Sequence, residues 1–201
     1  ELITYLKNAK NIICASENEF IKTEIKQLHD IECEVLPIYT HHELTGYCND
    51  IKEYNKIGVY MPRNGNNQWY HSNIITEVAK KLPNIEFHFY NRNGYVKEAN
   101  QENIPNIIAC SEVTNFSKFM EDKFCSLRVT LHDGEPLTGI ETMAIGRHFI
   151  FNFPMKYATK CDPTIDSITQ TINDVVNNKK KLSVDVSAYY VTRYTSFSNT
   201  Y

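Results

Sequence analysis

Short apolar runs recur along the chain at a nearly even spacing. They are NIICAS (11–16), CEVLPIY (33–39), KIGVYM (56–61), IEFHFY (85–90), NIIAC (106–110), SLRVTL (126–131) and HFIFNF (148–153). Each is close to continuously apolar rather than alternating, the pattern of strands buried on both faces of a parallel sheet. Helical periodicity fills the gaps. In WYHSNIITEVAKKL, Ile74, Ile75, Val78, Ala79 and Leu82 share one side, and TNFSKFMEDKF repeats Phe116, Phe119, Met120 and Phe124 at helical spacing. Alternation of strand and helix predicts βαβ units with right-handed crossovers. The expected fold is α/β: a Rossmann-like parallel sheet with helices on both faces.

The tail reads as helical. Asp162-Pro163 predicts a cap and a first helical position, followed by a stripe of Ile165, Ile168, Ile172, Val175 and Val176. VSAYYVTRYTSF predicts a second amphipathic helix. One stretch, THHELTGYCNDIKEYN, is polar and lacks a strand pattern, so it reads as a linker. The expected organisation is a strand–helix–strand piece over 1–40, a linker over 41–55, and a five-strand unit with C-terminal helices over 56–201.

Composition narrows the function. At 201 residues, 42% hydrophobic and 22% charged, the chain is long enough for one full domain with a real core. A net charge of −3 supplies no basic field, so neither nucleic acid nor an anionic membrane is an expected partner. The basic run Lys179–Lys181 falls where a helix ends, a position that suits cations. The six cysteines include no C-x-x-C pair, which predicts reduced thiols, a cytoplasmic protein and no zinc site. No membrane-spanning stretch or signal peptide is visible. The first residue, Glu1, is not Met, so a piece of a longer chain is expected.

The chemistry gathers in HDGEPLTGIE, 132–141, which reads as a loop turning into a helix that ends near Gly146. His132, Asp133, Gly134 and Glu135 lead into Pro136, and Glu141 lies a turn inside the helix. In an open parallel sheet such a loop sits beyond the carboxyl ends of the strands, where ligands bind. Gly134 permits close backbone approach, and Pro136 sets the turn. Free amides of Leu137, Thr138 and Gly139 would form an anion site, most naturally for phosphate. Glu141 then faces a hydroxyl pair such as a ribose, and Asp133 a different part of the same ligand. A second loop, YMPRNGNNQWYH, follows KIGVY and carries Arg63, Asn64 and Gly65. Its Arg63 can neutralise a diphosphate by bidentate contact without a metal. His132-Asp133 is a metal-like pair without a second constellation to complete a site, and His41-His42-Glu43 lies in the linker and reads as solvated, so no metal is expected. Trp69 and Tyr70 line the cleft or pack at a helix start, with packing the favoured reading.

These residues resemble a known family. Asp133, seven residues, Glu141 and then TMAIGRHFI are similar to the Glu–seven–Glu motif of retaining glycosyltransferases with the GT-B fold, the group 1 glycosyl transferases. That motif continues as E-x-M-A-x-G-x-P-V-I and lies in the C-terminal, donor-binding half. The resemblance covers about residues 10–180 and includes NIICASENEF and VLPIY, which look like the last strands of the acceptor half. It implies transfer of a sugar from a nucleoside diphosphate sugar to a glycan or other hydroxyl acceptor, with no cofactor beyond that donor. Asp133 would contact the donor sugar, Glu141 the ribose, the Leu137 and Thr138 amides the diphosphate, and Arg63 its oxygens. Backbone around Asn91–Gly94 and Ser111–Thr114 would meet the base. Two departures stand out: the first acid is Asp, one methylene short, and the Lys usual five residues after the Arg is here Gln68. Most of the N-terminal acceptor domain is expected to be missing, so the chain alone should bind donor and transfer poorly. The alternatives are a non-catalytic nucleotide-sugar-binding module and a GT-B-shaped nucleotide-sugar epimerase.

Overall fold

The computed structural model describes residues 2–8, 14–36, 51, 53–61, 68–91, 103–110, 113–178 and 182–195. An N-terminal group comes first: α1 (Leu2–Asn8), β1 (Ala15–Ser16), α2 (Glu19–His29) and β2 (Glu34–Val35). Then follow β3 (Lys56–Tyr60), α3 (Ser72–Lys81), β4 (Glu86–Tyr90), β5 (Ile107–Ala109), α4 (Phe116–Met120) and β6 (Cys125–Arg128). The chain continues with α5 (Leu137–Ala144), β7 (His148–Phe151), β8 (Thr159–Lys160), α6 (Ile165–Asn178) and α7 (Val184–Thr195). β1 and β2 make a small parallel pair, and the other six strands form one parallel sheet in the order β5-β4-β3-β6-β7-β8.

The expected Rossmann-like sheet is present, with both faces covered. Side chains leave a strand on alternate faces, and the packing follows that rule. Ile57 and Val59 of β3, Phe87 and Phe89 of β4, and Cys125 and Leu127 of β6 meet α3 and α6 through Ile75, Val78, Ile168 and Ile172. On the opposite face, Tyr90 packs with Phe116 and Met120 of α4. Phe149 and Phe151 of β7 pack with Ile140 and Met143 of α5 and with Val186 and Tyr190 of α7. Ser187 donates its hydroxyl to the Ala144 carbonyl, fastening α7 to the end of α5.

Several expectations need correction. The 56–201 unit has six strands among the described residues, not five, because β8 adds an edge. β8 is two residues long and is defined by its pairing with Ile150 and Phe151, so no apolar run announces it. Helix α1 was not anticipated either. Phe124 belongs with Ile57 and Leu127 on the α3/α6 side, not with the α4 stripe, since α4 stops at Met120. α6 starts at Ile165, and its first turn is closed by Thr164: the Ser167 amide donates to the Thr164 hydroxyl at 3.3 Å, while Ser167 Oγ accepts from the Asp162 amide at 2.9 Å. The cap is therefore Thr164 rather than the Asp162-Pro163 pair. Of the polar stretch read as linker, Ile51 and Tyr54 pack against the core, and 40–50 and 52 lie outside the described residues. Lys179–Lys181 and Cys48 also lie outside them, and the other five cysteines are free thiols.

Helix α5 crosses β7 closely at Gly139, where an added Cβ would lie 2.5 Å from Phe149 Cε1. Alanine at this position gains about 1 kcal/mol of helix propensity, but overpacking a fixed ring costs about 1–3 kcal/mol. Gly139→Ala is thus expected to lower the thermal unfolding midpoint, and Phe149→Leu in the same background to recover part of the loss. A midpoint equal to or above that of the parent would show that the helix has room to move.

Candidate functional site

The strand order places the site. From β3 the chain builds outward through β4 and β5, then returns to β6 on the other side of β3 and continues outward through β7 and β8. The sheet's switch point is therefore between β3 and β6, and ligands of open parallel sheets bind outside the carboxyl ends of the strands at that place. The two loops singled out in the sequence leave from these ends. Residues 62–67 follow β3 and 129–136 follow β6. Arg63, Asn64 and Gly65 lie outside the described residues.

The loop after β6 is held from below by a residue that the sequence reading missed. Asn152 accepts from the Thr130 amide at 3.0 Å and donates to the Thr130 carbonyl at 2.7 Å. One side-chain amide thus continues the β6–β7 ladder beyond its last register pair, Arg128 and Phe151. Farther along, the Leu131 amide donates to the Trp69 carbonyl at 2.9 Å, tying the loop to the start of α3.

Asp133 does not stand open in the crevice. Its Oδ2 is 2.6 Å from Arg128 Nε, its Oδ1 accepts from the Gly134 amide at 3.1 Å, and both side chains of the ion pair are largely buried. Arg128 ends β6, and its guanidinium carbon lies 4.6 Å from the Tyr60 ring centre and 5.5 Å from that of Tyr70. Burial alone would lower the Arg128 pKa, but the Asp133 carboxylate more than offsets it and the pKa is raised. Burial also pushes the Tyr70 phenol up, partly countered by Arg128. Tyr70 packs ahead of α3 against Tyr60 and the Arg128 guanidinium, while Trp69 is exposed.

The rest of HDGEP meets the N-terminal group. The Glu135 amide donates to Glu17 Oε1 at 2.9 Å, and His132 Nε2 lies 2.6 Å from Glu24 Oε2 on α2. Phe153 meets His132 edge-on and packs at a tilt against Phe20. Above Gly134 lies the Glu17 carboxylate: an added Cβ would lie 1.0 Å from Glu17 Oε1 and 2.2 Å from its carboxyl carbon, so a side chain there requires Glu17 to swing away.

Pro136 precedes the first turn of α5 in extended backbone and offers no side-chain cap. The Leu137 and Thr138 amides have no partner among the described residues. The Gly139 amide is a correction to the expected trio, because it donates to the Pro136 carbonyl at 2.8 Å. Thr138 is 5% exposed, and its buried hydroxyl has no partner among the described residues. Glu141 is buried in the second turn. Gly146 takes a positive φ of 79° where the helix ends, as the sequence predicted. Asn91, expected near a base, gives its side-chain amide to the Met61 carbonyl at 2.7 Å; 92–94 and 111–112 lie outside the described residues. Gln68, at the place of the family's Lys, is exposed.

No protein-family model matches the chain, and no curated protein sequence does. Solved structures do. TarM superposes with a TM-score of 0.66 at 17% identity over 96% of this chain and 41% of its own. Sucrose-phosphate synthase from Thermosynechococcus elongatus gives 0.73 at 11% identity, over 98% of this chain and 57% of its own. A glycosyltransferase from Rickettsia africae gives 0.72 at 12%, over 98% and 63%. These are GT-B glycosyltransferases, and the likeness establishes the fold. The chain spans about half the length of each. Staphylococcus aureus TarM has been solved with UDP and α-GlcNAc-glycerol, and the pneumococcal O-GlcNAc transferase GtfA with UDP and GlcNAc.

Removing the Asn152 amide should loosen the loop without touching its acids. Asn152→Ala orphans both backbone groups of Thr130, each worth about 1–3 kcal/mol when buried. The expected result is a clear fall in denaturant midpoint and faster amide exchange at Thr130 and Leu131. Unchanged exchange at both would show that the loop does not depend on Asn152.

Proposed function

We propose that this chain is the donor-binding part of a glycosyltransferase, of hexosyltransferase type, that moves a sugar from a nucleoside diphosphate sugar to an acceptor hydroxyl with retention of configuration. The observation that supports this reading is the strand order, which puts the switch point between β3 and β6, the strand that leads into Asp133 and the start of α5. The shared fold with glycosyltransferases solved with UDP and a sugar supports it.

The roles proposed here rest on the charge at the start of α5 and on the family resemblance. Free amides and the positive end of α5 suit a diphosphate, and the unpartnered Thr138 hydroxyl adds a donor in the same turn. Negative charge builds on the departing diphosphate in the transition state, so these groups stabilise the leaving group without rearranging. Arg63 adds its fork from the other loop. Glu141 accepts from the ribose and Asp133 from the transferred sugar. The free thiols suit a reducing compartment, the cytoplasm. In this reading the acceptor is bound outside the described sheet unit, and the chain tested alone is expected to bind donor and transfer poorly.

A second reading, a nucleotide-sugar-binding module without transfer, is favoured by two observations. Asp133 is paired with Arg128, and exposed Gln68 replaces the expected leaving-group cation. Sugar transfer by the chain joined to its acceptor half rejects this second reading.

Two carboxylates with different partners should respond differently. Glu141→Gln removes a charged acceptor worth roughly 1.5–3 kcal/mol, so affinity for bare nucleoside diphosphate and for full donor should fall together, by about ten- to a hundredfold. Asp133→Asn, which keeps an oxygen for Arg128, should weaken only the sugar-bearing donor. Calorimetry with both ligands decides; equal losses for Asp133→Asn on the two ligands refute its sugar contact.

Binding should also proceed without a divalent metal, because amides and arginine supply the charge. Nucleotide titrations in EDTA and in magnesium are expected to coincide. A tenfold loss in EDTA would overturn the metal-free assignment.

A further inference from the structure

Arg128 is the residue that joins the three elements meeting at the switch point. It ends β6, lies against Tyr60 at the end of β3 and Tyr70 ahead of α3, and is 2.6 Å from Asp133 in the loop. Asp133 is fixed as a result. Its Oδ2 faces Arg128 Nε, with the Thr130 hydroxyl at 3.5 Å, and its Oδ1 accepts from the Gly134 amide. A staple meant only to close the sheet end would be built as well from apolar side chains, since a buried ion pair often adds no stability over a hydrophobic replacement. What an ion pair adds here is a carboxylate held in one orientation. The planar guanidinium, clamped by two rings, is pre-organised for that task in a way that a lysine is not.

We propose that Arg128 is a positioning residue that sets the Asp133 carboxylate for the hydroxyls of the donor's sugar and leaves the diphosphate to the start of α5. This rests on the donor reading above. Arg128 acts through Asp133, so variants at the two positions share one phenotype and do not add. They lose the sugar and keep the nucleotide.

Calorimetry on the whole chain tests it. UDP, GDP and ADP are each titrated bare and as the glucose conjugate, and the pair that the parent binds best is carried through Arg128→Gln, Arg128→Lys, Asp133→Asn and Arg128→Gln/Asp133→Asn. Arg128→Gln is expected to weaken donor binding about tenfold, the order of one charge-assisted contact, and to leave bare nucleotide within about twofold. Arg128→Lys should recover part of the loss. The double variant should bind donor no worse than Asp133→Asn. It leaves no lone buried charge, so together with Arg128→Lys it keeps the comparison if Arg128→Gln alone does not fold. Equal losses on both ligands would place Arg128 on the diphosphate and overturn the proposal. So would additive losses, or a fall in melting temperature with no change in discrimination. Asp133→Asn discriminating where the Arg128 variants do not would sink this proposal alone. Binding of none of the six ligands by the parent would remove the donor reading and this proposal with it.

Discussion

Asn152 spends its whole side-chain amide on the backbone of one residue, Thr130, and the candidate site hangs from that pair of hydrogen bonds. Past Arg128 the β6–β7 ladder has ended, and without a substitute partner the chain would leave the sheet at an undefined angle. With it, Thr130 stays in register with β7. The next residues then have a fixed origin: Leu131 reaches the Trp69 carbonyl, Asp133 turns back onto Arg128, and Pro136 opens α5. The hydrophobic core supplies the platform, while a local polar contact decides where the loop starts.

The sheet was legible because its strands are covered on both faces. Continuous apolar runs such as KIGVYM and SLRVTL have little other use in a chain of this length, and the helical stripes of α3 and α6 matched their buried faces. What the pattern could not carry was anything defined by hydrogen bonding alone. β8 is an edge pair without an apolar signature, and the Thr164 cap competes with an equally plausible Asp-Pro in the sequence.

The site divides the same way. The loop's position followed from strand counting, and the helix start from Pro136 and the apolar run behind it. Arg128 was hidden because it closes an apolar strand, where an arginine reads as a residue at the water's edge. Its partner lies only five residues on, yet nothing in the sequence separates a buried pair from two solvated charges. Asn152 was hidden for a related reason: an Asn after a strand reads as an ordinary turn residue. Glu17 sits 118 positions from the amide it accepts from, a separation that no local pattern reports.

That last contact links two distant positions in a simple exchange. Residue 134 can carry a side chain only if the Glu17 carboxylate swings off it. A chain with a short residue at 17 would admit alanine or serine at 134, and the loop would then lose its bond to the N-terminal group at the Glu135 amide. Glycine at 134 is thus tied to the Glu17 bond at the Glu135 amide rather than to a left-handed turn of the loop. A six-strand unit cut away from Glu17 would be free to change there, and a graft of this loop onto another scaffold would need a carboxylate of the same reach beside it to keep the Glu135 amide bond.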